Sequence, residues 1–251
     1  MDGVDRAGDV VPSGDAPEPE APTAGVAGGE VARRFAELSV ELHESGGVDE
    51  TVQAVVEFAL QALSCSHAGI ALSVRGRGFE VPAATDPVVA AIYDFQMTGG
   101  KGPLVESMRQ HATVLVRDTA TDQRWTEWAG RVLELGVRSV LDVPLTTGEG
   151  MVGVLGLYSV EVDAFGPDDE AVAHILARHA SVAIGSARHV ENLAAAVDAR
   201  KLVGQAMGIL MERYDLDGDR AFEVLKRYSQ DNNRKLRDVA QDLISTRKLP
   251  F

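Results

Sequence analysis

The sequence predicts an α+β domain with an antiparallel sheet, then a long connecting helix, then an all-α three-helix bundle. Three observations point there. Short strand-like runs separated by turns occupy the middle of the chain, apolar residues spaced by three and four run on from Asp168 with no proline until Pro250, and cations gather near the C-terminus of an otherwise acidic protein. Few strands, one clear hairpin and helices at both ends favour antiparallel pairing over βαβ units.

The first 30 residues are rich in Gly, Ala, Pro and acid, with seven Asp/Glu and Arg6 as the one base. They show no hydrophobic period, so a disordered acidic segment is expected over 1–30. A domain over 31–187 follows, long enough for a substantial core. Helical spacing dominates 31–63 (Val31, Phe35, Leu38, Leu42, then Val52, Val55, Val56, Phe58, Ala59, Leu63). Strands are expected at Ala68–Val74, Thr113–Val116, Ser139–Pro144 and Met151–Tyr158, with helices near Val88–Gln96 and Trp125–Leu135. The turn Thr146–Gly150 joins the last two strands as a hairpin. From Asp168, the residues Val172, Ile175, Leu176, Ala183, Ile184, Ala187, Val190, Leu193 and Val197 predict one helix leaving this domain, with Gly185 as its weak point. Their near-heptad spacing suits pairing of two chains.

The final module, 188–251, divides into three short amphipathic helices. Ala199, Leu202, Val203, Ala206 and Leu210 make one stripe, and Ala221, Val224, Leu225 and Tyr228 a second. Leu236, Val239, Ala240, Leu243 and Ile244 make the third. Asp219 and Asn233 are the expected N-caps of the second and third helices. Ala206 and Gly208 are small enough for close helix packing. The chain carries a formal charge of −14, yet residues 220–248 hold eight Lys/Arg against four Asp/Glu. So small a helical unit binds rather than catalyses, and cations meeting phosphates would give salt-sensitive affinity. The competing reading is a solvated helix face with i,i+4 pairs such as Glu223 with Arg227.

Other chemistry finds little support. The one cysteine, Cys65, excludes an intrachain disulfide. The six histidines show no metal-binding pairing, no metal site is expected, and no Ser/His/Asp constellation can be assembled, so the chain is not expected to be an enzyme. Gly99-Gly100-Lys101-Gly102 lacks phosphate-loop spacing and reads as a loop. Trp125 and Trp128 sit three apart, which turns one of them inward. There is no apolar leader and no run long enough to span a bilayer, so a cytoplasmic protein without a membrane partner is expected.

Two resemblances sharpen this picture. The run Gly204-Gln205-Ala206-x-Gly208-Ile209-Leu210-Met211, then Ala221-Phe222-x-x-Leu225, Ser229-Gln230, Asn233 and Lys235-Leu236-Arg237-Asp238-Val239-Ala240, resembles the ANTAR family of RNA-binding antiterminators. The resemblance implies binding of paired stem-loops in nascent transcripts, acting on the transcription machinery indirectly. It departs at Met207, where the family usually has Lys. Candidate RNA contacts are Arg220, Lys226, Arg227, Ser229, Gln230, Asn233, Arg234, Lys235 and Arg237, with Arg234 and Arg237 foremost for phosphate. The middle region resembles a GAF domain through Ala83-Ala84-Thr85-Asp86, Gly102-Pro103, Asp122-x-Arg124-Trp125, Gly136–Leu141, Val143-Pro144-Leu145, Gly153–Ser159 and Phe165. GAF domains are sensory, and some bind cyclic nucleotides, haem or bilins. No cofactor is evident here, and an unknown small ligand remains open. Relatives of this type often carry Cys after the Gly-Pro pair, where this chain has Leu104, so thiol attachment at that position is not expected.

Together these features predict a sensory transcription antiterminator, a homodimer regulated through its GAF domain. The alternatives are a DNA-binding regulator of helix-turn-helix type and a GAF signalling protein acting through protein partners.

Overall fold

The computed structural model describes residues 24–74 and 78–248. Two helices open it, α1 (Ala24–Glu44) and α2 (Val48–Ala62), followed by strands β1 (His67–Val74) and β2 (Gly78–Ala84). Helices α3 (Pro87–Gly99) and α4 (Pro103–Gln110) lead to β3 (Val114–Val116), α5 (Thr126–Glu134), β4 (Ser139–Thr147) and β5 (Gly150–Ser159). The chain closes with α6 (Pro167–Tyr214), α7 (Gly218–Asp231) and α8 (Leu236–Thr246). Of the acidic segment expected to be disordered, residues 1–23 lie outside the described residues. Residues 24–30 already belong to α1, so helix begins ahead of the expected boundary.

The five strands form one sheet in the order β2-β1-β5-β4-β3, and every pairing is antiparallel. Strand alternation divides the core in two. Leu141, Val143, Leu145, Leu155 and Leu157 face α1, α2 and the first part of α6. Val140, Val154 and Tyr158 face α3, α4 and α5, where Trp128 turns inward as its spacing predicts. The hairpin closes over Gly148-Glu149, with Thr147 paired to Gly150.

Two elements escaped the sequence reading. Strand β2 lies at the sheet edge, is half exposed and contains Pro82, which an edge strand tolerates. Helix α4 has only eight residues, too few for a convincing period. Between α3 and α4 the glycine-rich loop has a definite shape. Gly100 ends α3 in the left-handed region (φ 65°), and Gly102 (φ 145°) sits against Gln96, whose Oε1 accepts from the Leu104 N–H at 2.9 Å.

Helix α6 is continuous for 48 residues, about 72 Å at 1.5 Å per residue. Gly185 does not interrupt it. Pro167 occupies its first turn, and Asp169 accepts from the Gly166 N–H at 3.1 Å. Its first part buries Ala173, Leu176, Ala177, Ala180 and Ile184 on the sheet domain, whereas Ala206 and Leu210 belong to the C-terminal bundle. Between them, residues 189–198 are exposed on every side.

Candidate nucleic-acid interface and sensory core

The C-terminal bundle is built from the end of α6 with α7 and α8. Ala206, Leu210, Ala221, Leu225, Val239, Ala240 and Leu243 are its buried residues, with Tyr228, Leu236 and Ile244 packed beside them. Val224, expected in the stripe, is 36% exposed because it points off the α7 contact. Both expected caps are corrected. Asp217, not Asp219, caps α7 and accepts from the Arg220 N–H at 2.8 Å. Lys235, not Asn233, occupies the N-cap of α8, and Asn233 takes a left-handed turn conformation (φ 49°). Ala206 packs in the core, but a Cβ on Gly208 would meet nothing within 4 Å, so its smallness is not used for packing here. Met207 lies partly buried beside Gly218, at the start of α7.

The nine candidate contacts fall along α7, the turn after it and the start of α8. Arg220, Lys226 and Arg227 lie on α7, each beside a carboxylate: Asp217 at 3.6 Å, Glu223 at 3.2 Å and Asp231 at 3.6 Å. Arg234, expected within the third helix, precedes it and reaches across to Asp242 at 2.6 Å. That hydrogen bond and charge hold its guanidinium pKa above the ordinary value. Arg237 stands 3.5 Å from Asp238. Ser229 donates to the Arg234 carbonyl at 2.5 Å, and Asn232 to the Tyr228 carbonyl at 2.9 Å, so both serve the turn itself. Lys235 is the one cation of the predicted set with no carboxylate partner among the described residues, while Gln230 and Asn233 are exposed nearby.

The sheet domain holds a second candidate site that spacing did not reveal. Asp142 on β4 pairs in register with Gly156 on β5, and Val140 with Tyr158, so these positions face the α3–α5 side together. A Cβ added to Gly156 would come 2.5 Å from Tyr93 Oη, 2.6 Å from Tyr158 Oη and 2.9 Å from Asp142 Oδ1. Three polar groups therefore converge in the space that a glycine leaves. Tyr93 donates to the Gly69 carbonyl at 2.9 Å. Both Asp142 oxygens, Tyr158 Oη, Ser107 Oγ, Gln96 Nε2 and Trp128 Nε1 are buried without a well-formed hydrogen bond. Burial pushes the Asp142 carboxyl up to about 8 and, with Asp142 beside it, raises the Tyr93 hydroxyl as well. A lone acid inside the apolar run Ser139–Pro144 was the signal available in the sequence.

The remaining features are plainer. Cys65 is half-buried and its thiol is pushed up to about 11 by burial, far from a reactive thiolate. His111 ends α4 in a left-handed conformation. No group of three His, Cys, Asp or Glu side chains suited to a metal occurs among the described residues. No helix among them is long and apolar enough to cross a membrane.

Where the two modules meet, α6 is fixed to the sheet domain by polar contacts. Glu191 Oε1 accepts from the Val48 N–H at 2.8 Å, capping α2, whose N-cap residue Gly47 has no side chain to do so. One turn earlier, Arg188 lies 3.7 Å from Glu80 and reaches toward the Val152 carbonyl.

Comparison with known proteins agrees with this division. The GAF domain model matches residues 45–185, more than half of the chain, and the ANTAR domain model matches residues 191–244. The fold is similar to the GAF domain of a phosphoenolpyruvate-protein phosphotransferase from Coxiella burnetii, at 16% identity and a TM-score of 0.53 over 64% of this chain and 96% of that one. It is also similar to the phytochrome photosensory core module of Stigmatella aurantiaca, at 11% identity and a TM-score of 0.57 over 84% of this chain and 46% of that one. Among curated proteins, none matches. The chain belongs to the GAF domain family and carries a C-terminal ANTAR domain, the architecture of a GAF–ANTAR regulator.

Proposed function

We propose that this chain is a sensory transcription antiterminator whose C-terminal bundle binds paired stem-loops in nascent RNA, under control of the GAF domain and of dimerisation. The observation that carries the reading is the ANTAR match over 191–244, which begins on the same uninterrupted helix that packs against the GAF sheet. Residues 191–248 hold eleven Lys/Arg against ten Asp/Glu, in a chain of net charge −14. The acidic remainder repels a polyanion and leaves the tail as the approachable end.

Dimerisation rests on α6. Val190, Leu193 and Val197 are 56–63% exposed, and an isolated helical stretch in water has no reason to display them; Val182, 70% exposed, extends the stripe back along the sheet domain. A second copy pairing along this stripe would place the two bundles side by side, so that a shift in helix rotation alters how they engage two stem-loops.

The test is a salt titration of full-length protein against an RNA of two hairpins joined by a short linker, with a single hairpin and duplex DNA as controls. Selective, salt-sensitive binding of the paired RNA is the expected result. Preference for duplex DNA would replace the reading by a DNA-binding regulator. Binding of no nucleic acid would favour a GAF protein that works through protein partners. Light scattering of the same sample checks the dimer, and a monomer both with and without RNA would remove that part.

A further inference from the structure

The cations of the tail divide into two classes. Arg220, Lys226, Arg227, Arg234 and Arg237 each face a carboxylate, as described above. Arg213, Arg247 and Lys248, like Lys235 in the turn and Arg200 and Lys201 earlier on α6, have no carboxylate partner among the described residues, and all of them are exposed. The first three also come together in space. Helices α6 and α8 pack directly on each other, and Arg213 Nη1 donates to the Arg247 carbonyl, which sets the two C-terminal ends side by side.

The junction is held in place by its own backbone. Arg247 ends α8 in the left-handed region (φ 57°), with its N–H on the Leu243 carbonyl at 2.9 Å. The Lys248 N–H donates to Thr246 Oγ1 at 3.2 Å, and the Thr246 hydroxyl donates to the Asp242 carbonyl at 2.7 Å. The side chains of Arg247 and Lys248 are thus presented from a fixed turn. Next to Arg213 in the chain, Tyr214 is 52% exposed, against 37% for Phe222, the other exposed aromatic of the bundle among the described residues. Glu212 and Asp215 flank this segment, but neither lies within ion-pair distance of Arg213, Arg247 or Lys248.

We propose that RNA meets the tail at this α6–α8 junction, where Arg213, Arg247 and Lys248 take phosphates and Tyr214 offers a stacking face to an unpaired loop base. This assignment rests on the RNA-binding reading above and moves its centre from the α7–α8 turn, where Lys235 is the lone unpaired cation among the described residues and Arg234, Ser229 and Asn232 are already engaged. Cations at the ends of two helices also offset the helix dipoles, so the test must separate binding from stability.

In the full-length protein, Arg213→Gln, Arg247→Gln and Lys248→Gln are combined and titrated with salt against the two-hairpin RNA. Three lost phosphate contacts lower the slope of log affinity against log salt by about two. Tyr214→Ala binds roughly tenfold more weakly and Tyr214→Phe binds as wild type, as expected for stacking. Lys248→Gln alone, past the end of α8, lowers the slope by somewhat under one even if the triple variant unfolds more easily. Wild-type slope and affinity in Lys248→Gln and Tyr214→Ala, with loss in Arg234→Gln plus Arg237→Gln, would overturn the assignment and return the interface to the turn. Failure of the wild type to bind any RNA would remove the antiterminator reading itself, and this surface with it.

Discussion

The GAF domain and the bundle behind it handle polar groups in opposite ways. In the GAF domain, Asp142, Tyr93 and Tyr158 are wholly buried between the sheet and α3–α5, and the carboxyl has no well-formed partner. In the bundle, seven small or medium apolar residues make the whole buried core, and every charged side chain lies at the surface. The first arrangement retains unmet hydrogen-bonding capacity inside a rigid shell, as suits a sensor. The second spends little on its interior and displays charge, as suits a binder of polyanions. Their stabilities should therefore be separable, although a single helix belongs to both.

Emptying the small core of the bundle should have the largest effect. Leu225 is fully buried where α7 meets α6 and α8. Leu225→Ala should cost about 2–5 kcal/mol, a large fraction of what so small a bundle can possess. Thermal unfolding followed by helical signal should lose the bundle's transition and keep that of the GAF domain. If both halves shift together, the two regions form one cooperative unit and the contrast fails.

A second prediction concerns the sensor's interior. Burial lifts the folded-state pKa of Asp142 to about 8, above the roughly 3.9 of an unfolded carboxyl. The native state then holds a proton that the unfolded state has released. Stability should fall as pH climbs from about 4 towards 8, by up to about 1.4 kcal/mol per unit, and level off beyond. Asp142→Asn should flatten this slope in the GAF transition and leave that of the bundle untouched. Denaturant titrations at a series of pH values read both at once, and an unchanged slope in the variant would place the linkage elsewhere.

These two regions were unequally legible in the sequence. Helix α6 was foreshadowed by uninterrupted spacing and the absence of proline from Asp168 to Tyr214, a purely local signal. The bundle's stripes were local too, and Ala206, Leu210, Ala221 and Leu225 lie where spacing placed them. What escaped depends on contacts between distant residues. Asp142 meets Tyr93 only because β4 pairs with β5 beneath α3. Arg234 is engaged by Asp242, eight residues on and outside the i,i+4 pattern, so it read as a free phosphate ligand. Asn233 looked like a cap because its residue type favours that role, yet the chain needs a left-handed residue there to turn. Edge strand β2 and short α4 lacked the length and alternation that make a period visible.

The contrast meets its limit at Glu191, the first residue of the ANTAR match, whose carboxylate caps a helix of the GAF domain. An anion at a helix N-terminus satisfies an orphan N–H and opposes the positive end of the dipole. Because Gly47 offers no side chain, α2 depends on α6 for its cap, and rotation of α6 would withdraw it. Glu191→Ala should therefore cost about 1 kcal/mol in the GAF transition, although the residue lies in the ANTAR segment. Hydrogen exchange at the Val48 amide should quicken in the same variant. Glu191→Gln retains an acceptor oxygen and should lose less. If the alanine variant instead lowers only the bundle's stability, Glu191 belongs energetically to the tail and the two modules are joined by the helix alone. If exchange at Val48 quickens when RNA binds the wild-type protein, the cap is released as the tail engages, and the binder and the sensor communicate through this one contact.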